Sequence, residues 1–234
     1  MDQPFRFKQF TVHHQRSSMK VGTDAILLGA WCHLAGARRV LDVGTGCGVI
    51  ALMSAQRNPD AFVMAIDIDS ESVDEAQENF EVSPWGNRLK ALLQNFNELT
   101  DDQGFDVIVT NPPYYNENVL PPDPVRSAAR HTHALSFEQL MQGAARLLKA
   151  DGSIALITPA EARDDVTATA TFAGLYLSRL TTVCSSEGKT PKRLLWQWSK
   201  LRCAIQRGNI IIHERGGAFT PQYIELCKDF YLWI

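Results

Sequence analysis

Hydrophobic positions along this chain fall into two alternating kinds of run. Residues 40–44 (VLDVG), 62–68 (FVMAIDI), 89–93 (LKALL), 105–110 (FDVIVT) and 152–159 (GSIALITP) are short and mostly apolar, with many β-branched side chains. That is the pattern of strands buried on both faces of a parallel sheet. Longer stretches with helical spacing lie between them. Residues 24–34 (DAILLGAWCHL) predict a helix of about three turns with Thr23 or Asp24 as its cap. Asp69 or Ser70 is placed to cap a second, running through residues 72–80 (SVDEAQENF), amphipathic and acidic outside. Ser136 caps residues 136–149 (SFEQLMQGAARLLK), and residues 164–175 (DDVTATATFAGL) predict another helix. Residues 177–185 (LSRLTTVCS) and 193–200 (RLLWQWSK), joined by a short polar link, predict an antiparallel hairpin at the sheet edge. Residues 208–215 (GNIIIHER) add a short strand, and Thr220 and Pro221 start a closing helix over 220–234. Residues 1–20 lack a helical period and predict an extended arm or short strands.

The strand-to-helix joint at residues 40–52 (VLDVGTGCGVIAL) carries the first chemistry. Gly44, Gly46 and Gly48, with Thr45 among them, let a backbone turn tightly and approach a ligand without side-chain obstruction. The third glycine comes one residue earlier than in the dinucleotide fingerprint, a spacing usual in S-adenosylmethionine sites. Asp42 lies inside the strand, where an unpaired carboxylate is costly. Asp67, at the carboxyl end of the next strand and beside Ile68, is placed to accept hydrogen bonds from both hydroxyls of a ribose. After the third strand, Asn95 is positioned to bond the edge of an adenine ring and Phe96 to cover its face, although Asn is equally at home as a turn former.

The fourth strand ends in Asn111, Pro112, Pro113 and Tyr114. Neither proline has an N–H for a sheet ladder, so the strand stops and the backbone leaves stiff and extended. An amide oxygen, a free carbonyl and an aromatic face together can hold a planar group bearing an exocyclic amine by two hydrogen bonds and a stack. An adenine N6 amine fits that description. The whole pattern predicts an α/β fold with a Rossmann-like, seven-stranded, mostly parallel sheet and an antiparallel edge hairpin. It reads as one domain, with an arm and helix over 1–37, the core over 38–200 and a closing strand and helix over 201–234.

Composition narrows this further. With 234 residues and 45% hydrophobic content the chain can bury one sizeable core. No stretch approaches the ~18 apolar residues of a membrane span, and MDQPFRFKQF lacks a signal-type apolar segment, so a cytoplasmic protein is expected. Five cysteines without a C-x-x-C pair predict reduced thiols. His131 and His133 have no partner at a metal-binding spacing, so no metal is expected, and nothing points to an obligate protein partner. The net charge of −3 does not announce a nucleic-acid binder, so any grip on RNA must be local. Lys20, Arg126, Arg130, Lys189 and Lys192 are the candidates, and Tyr115 to Ser127 reads as a proline-rich loop able to close over a substrate.

VLDVGTGCG, AIDID and NPPY together resemble the class I S-adenosylmethionine-dependent methyltransferases that act on an exocyclic or amide nitrogen. The flanks, FKQFTVHHQRSSMKVGTDAILLGAW, the segment from Asn111 to His133 with its ARHTH, and LCKDFYLWI, are similar to the bacterial tRNA1(Val) adenine-37 N6-methyltransferase family. That resemblance implies a tRNA1(Val) substrate, Asn111 to Tyr114 as the target-base clamp, and Asp42, Gly44, Gly46, Gly48, Asp67 and Asn95 in the S-adenosylmethionine site. The motifs alone also suit a glutamine N5-methyltransferase of a release factor, an N6-adenine enzyme for ribosomal RNA or DNA, or a non-catalytic binding module.

Overall fold

The computed structural model describes residues 3–17, 19–112 and 135–233. An arm comes first, carrying the two-stranded antiparallel pair β1 (Phe5–Arg6) and β2 (Thr11–Val12). Then follow α1 (Thr23–Trp31), β3 (Arg39–Val43), α2 (Val49–Arg57), β4 (Phe62–Asp67), α3 (Ser70–Glu81), β5 (Leu89–Leu93) and β6 (Phe105–Thr110). Beyond residue 134 come α4 (Phe137–Leu147), β7 (Leu148–Pro159), α5 (Arg163–Phe172), β8 (Tyr176–Ser186), β9 (Arg193–Ser199), β10 (Gln206–His213) and α6 (Pro221–Cys227).

Eight strands form one sheet in the order β10-β8-β9-β7-β6-β3-β4-β5. Every pair is parallel except the two that β9 makes, with β7 and with β8. The α/β class and the mostly parallel sheet are as the sequence pattern implies, with two corrections. The sheet has an eighth strand, and the hairpin is not at its edge. β10 pairs in parallel with β8 and covers it, from Gln206 opposite Arg179 to His213 opposite Ser186.

Side chains alternate between two cores across the sheet, as the two-residue period of a strand requires. Val40, Val63, Val107, Val109, Ala155 and Ile157 face α1, α2, α3, α6 and the arm. Leu41, Val43, Ile66, Ile108, Ile154 and Leu156 face α4 and α5. Trp196 and Trp198 are buried in this second core, their rings stacked with centroids 5.9 Å apart, and Trp196 Nε1 donates to Thr158 Oγ1 at 2.9 Å. Trp233, near the end of the chain, is exposed.

Helix starts follow local chemistry. Asp69 caps α3 by accepting from the Ser72 N–H, and Ser136 with Gln139 forms a capping box on α4. Thr220 and Pro221 begin α6 as expected, but the helix stops at Cys227 rather than running to the terminus. There the chain turns so that Tyr231 bridges to Phe7. α1 differs from expectation because its cap is Gly22, with no side-chain cap. The Asp24 carboxylate instead accepts from Arg193 Nε at 2.8 Å, tying the start of α1 to the start of β9.

Candidate active site

The carboxyl ends of β3, β4, β5 and β6 define one edge, and the chain order reverses at β3: β4 and β5 follow on one side of it, whereas β6 lies on the other. Open parallel sheets bind ligands at such a switch point. Val43 and Thr110 end their strands in register, and the buried Thr110 hydroxyl donates to the Val43 carbonyl at 2.8 Å. Asn111 therefore leaves the sheet directly beside Gly44. Asn111 is partly buried and Pro112 buried. Pro113, Tyr114, Arg126, Arg130, His131, His133 and the loop from Tyr115 to Ser127 lie outside the described residues.

The glycine turn is held from below by the end of β4. The N–H groups of Gly44 and Thr45 both donate to the Ile66 carbonyl, at 2.9 and 3.0 Å, and that of Gly46 to Asp67 Oδ2 at 2.9 Å. All three glycines have positive φ, a region that side chains with a Cβ rarely adopt. They differ in surroundings. A Cβ at Gly44 or Gly46 would meet nothing within 4 Å, so these two present bare backbone to open space. A Cβ at Gly48 would stand 2.5 Å from the Phe80 ring, so that glycine is required for packing on α3.

Asp42 lies under this turn, fully buried. Its Oδ2 accepts from Thr45 Oγ1 at 2.7 Å, whereas its Oδ1 has no hydrogen-bond partner. Burial pushes the Asp42 carboxyl up to about 7; the Thr45 hydrogen bond and, more weakly, the Ala51 N–H, which stands short of hydrogen-bond geometry to Oδ1, oppose the rise, and the nearby Asp67 charge adds to it. Asp67 is also raised by burial, against the N–H groups of Gly46 and Asp69 that it accepts. A buried acceptor without a donor, beneath bare glycine backbone, fits a ligand that brings a cationic donor.

Ile68 follows Asp67 and is 54% exposed, an apolar surface at the crevice. Asn95 Oδ1 accepts from the Asn97 N–H at 3.0 Å and Nδ2 donates to Glu98, so its observed part is that of a turn former. Phe96 requires a correction. Its ring is 3% exposed and sits in the second core, and a Cβ on Gly143 of α4 would stand 2.4 Å from it. The aromatic beside a loop asparagine reads as a ring cover, yet Gly143 in α4 leaves the room that receives it instead. Lys20, Lys189 and Lys192 are exposed. β8 runs parallel to β7 through the intervening β9, so the 187–192 turn, with both lysines, lies at the same edge as the glycine turn.

Among the described residues no group of three or more His, Cys, Asp or Glu side chains gathers as a metal site, and no helix is long and apolar enough to cross a membrane. All five cysteines are free thiols.

A parallel sheet with this strand order, a glycine turn after its first core strand and an acid after its second define a class I S-adenosylmethionine-dependent methyltransferase. The methyltransferase small domain family model matches residues 17–176. The fold is shared with a predicted O-methyltransferase from Agrobacterium tumefaciens, with TM-score 0.69 and 21% identity over 88% of this chain and 96% of that one. It is shared also with a putative RNA methyltransferase from Pyrococcus horikoshii, with TM-score 0.53 and 16% identity over 71% and 76%. Sequence places the chain more narrowly. It is 43% identical over 230 residues to the tRNA1(Val) (adenine(37)-N6)-methyltransferase of Phocaeicola vulgatus, spanning 97% of each chain. It is 41% identical to the enzyme of the same name from Bacteroides thetaiotaomicron, again over 97% of each. This chain belongs to the tRNA1(Val) (adenine(37)-N6)-methyltransferase family.

Proposed function

We propose that this enzyme transfers a methyl group from S-adenosylmethionine to N6 of adenosine 37 in the anticodon loop of tRNA1(Val), in the cytoplasm. The observation that carries the reading is the register of Val43 with Thr110, which sets Asn111 and Pro112 beside the glycine turn.

The cofactor supplies an electrophilic methyl carbon on a positively charged sulfonium. Gly44 and Gly46 leave room for its approach, and the unpartnered Asp42 Oδ1 offers an acceptor for its ammonium group. Asp67, whose oxygens accept from Gly46 and Asp69, would take the ribose hydroxyls with its remaining lone pairs, and the exposed Ile68 and Asn95 would hold the adenine. Phe96 has no part in this arrangement.

The Asn111 amide oxygen and the Pro112 carbonyl accept the two N–H groups of the target amine, with Pro113 and Tyr114 completing the clamp. The lone pair of that amine is delocalised into the ring, and two accepted hydrogen bonds favour a more tetrahedral, nucleophilic nitrogen. No general base is needed before transfer: as the nitrogen–carbon bond forms, the sulfur–carbon bond would break with its electron pair going to sulfur, and the methylated nitrogen then loses its extra proton to water. Positioning supplies much of the rate, and a water-excluding site favours a step in which the sulfonium charge is lost. Adenosine 37 lies in a single-stranded loop, so unstacking it costs only a few kcal/mol. Lys189 and Lys192 at the edge, with Lys20, Arg126 and Arg130, take phosphates.

Asn111→Ala tests the clamp on unmodified tRNA1(Val). Transfer should fall at least ~10³-fold with cofactor affinity retained, since the lost contacts matter only in the reacting complex. Near-normal turnover would overturn the clamp.

A further inference from the structure

Two neighbouring turns of α3 tie down the N-terminal arm. Glu75 is 2% exposed. Its Oε1 accepts the backbone N–H groups of Gln15 at 2.7 Å and Arg16 at 3.0 Å, and its Oε2 accepts that of Ser17 at 2.9 Å. Three successive amides converge on one anion, the arrangement of an anion nest, with the anion supplied by the protein itself. Burial disfavours the Glu75 charge, but the donations from Arg16, Ser17 and Gln15 outweigh it and hold the carboxyl below its ordinary range.

One turn further on, Asn79 is fully buried. Its Oδ1 accepts the His13 N–H at 2.9 Å, and its Nδ2 donates to the His13 carbonyl at 2.8 Å and the Cys47 carbonyl at 2.9 Å. Cys47 stands between Gly46 and Gly48, so a single amide joins the arm to the glycine turn. Phe80, the next residue, is the ring that Gly48 packs against.

Beyond His13 the arm closes on itself. Val21 N–H donates to His14 Nδ1 at 3.0 Å, and Ser17 Oγ donates to the Met19 carbonyl at 3.1 Å. Met19 is 45% exposed at the tip of this loop, and Lys20 beside it is exposed. The chain then enters α1, which packs on α2, the helix that starts directly after Gly48. Residues 13–17 and 19–22 therefore belong to a stretch that starts at α3, where Asn79 joins His13 to Cys47 of the glycine turn, and ends at α1, whose Asp24 is tied to Arg193 at the same edge of the sheet.

We propose that Glu75 and Asn79 are positioning residues for methyl transfer: they fix residues 13–17 as a wall of the S-adenosylmethionine crevice, and cofactor affinity depends on that wall staying in place. Apolar contact alone lets a surface loop slide, whereas a carboxylate nest and a bidentate amide fix its backbone residue by residue, as a binding wall requires. Neither side chain touches the cofactor. Their effect passes through the arm and the Cys47 carbonyl.

The test uses the full chain, rests on S-adenosylmethionine as cofactor, and compares wild type with Glu75→Gln. Amide exchange at Gln15 to Ser17 should quicken at least ~10-fold while β3 and α2 keep their protection, which separates release of the arm from general loosening. The Kd for S-adenosylmethionine by calorimetry should rise about tenfold, and the cofactor KM with it, while kcat stays within about twofold. Should Glu75→Gln not fold, Arg16→Pro removes one donated N–H from the arm and leaves α3 intact. Fast exchange in the arm with an unchanged Kd would overturn the proposal, whereas a wild-type protein that does not bind the cofactor would overturn the cofactor reading itself.

Discussion

Asp42 and Glu75 are both buried carboxylates beside the glycine turn, and both raise the Cys47 thiol, whose burial is the main cause of its rise to about 12. They differ in what the protein gives them. Glu75 receives three N–H groups and is pulled below its ordinary range; Asp42 receives one hydroxyl hydrogen bond and only a weak approach of the Ala51 N–H, keeps Oδ1 without a hydrogen bond, and rises to about 7. A carboxylate that the fold satisfies is architecture, whereas one that it leaves short is where a ligand completes the structure.

The largest effect of that difference is expected at Asp42. Asp42→Asn keeps the shape of the neutral carboxyl and removes the charge, so it should fold while the cofactor Kd rises about 100-fold, on the scale of a lost charge-assisted hydrogen bond. The sign of the pH dependence follows from the raised carboxyl. Below about 7 the free enzyme holds a proton on Asp42 that a cationic ligand must displace, so wild-type affinity should increase as pH rises through 7, with proton release at pH 6 and almost none at pH 8.5. Calorimetry in buffers of different ionisation enthalpy checks this. Proton release that persists in Asp42→Asn would assign the titration elsewhere. Folding stability has the opposite trend: a carboxyl raised in the folded state favours the protonated form, so its contribution falls from the ordinary carboxylate range up to about 7.

The same division between architecture and ligand separates the glycines. Gly48→Ala combines positive φ with a Cβ 2.5 Å from Phe80 and should destabilise the fold by about 3 kcal/mol or more, read in denaturant unfolding. Gly44→Ala meets open space and should cost only about 1–2 kcal/mol of backbone strain while blocking the cofactor. Equal loss of stability in both would erase the distinction. The smallest effect belongs to the exposed lysines. Lys189→Ala and Lys192→Ala should each reduce the salt slope of tRNA binding by about one unit, leaving cofactor binding unchanged. Unchanged slopes would move the RNA footprint away from the β8–β9 turn.

The sheet edge with its glycine turn and Asp67 could be read from sequence because its signals are local. Strands buried on both faces are written as short apolar runs, and a glycine turn followed at a set distance by Asp67 needs no distant partner. The Glu75 and Asn79 clamp could not. Both belong to a helix whose sequence is acidic outside, and their partners are backbone groups some 60 residues upstream that carry no side-chain signature. Phe96 misled for a related reason: only the tertiary structure shows that its ring goes to Gly143 rather than the crevice. β10 was recognisable as a strand, but its pairing with β8, which moves the hairpin inside the sheet, depends on a non-local register.

The most direct test of the account is methyl transfer from labelled S-adenosylmethionine to two unmodified tRNA1(Val) transcripts, one with adenosine and one with guanosine at position 37. Label on the adenosine transcript alone is the predicted result, with the modified nucleoside identified as N6-methyladenosine. Label on neither transcript, with a release factor or ribosomal RNA accepting the methyl group instead, would contradict the assignment of substrate while leaving the fold and the cofactor site as described.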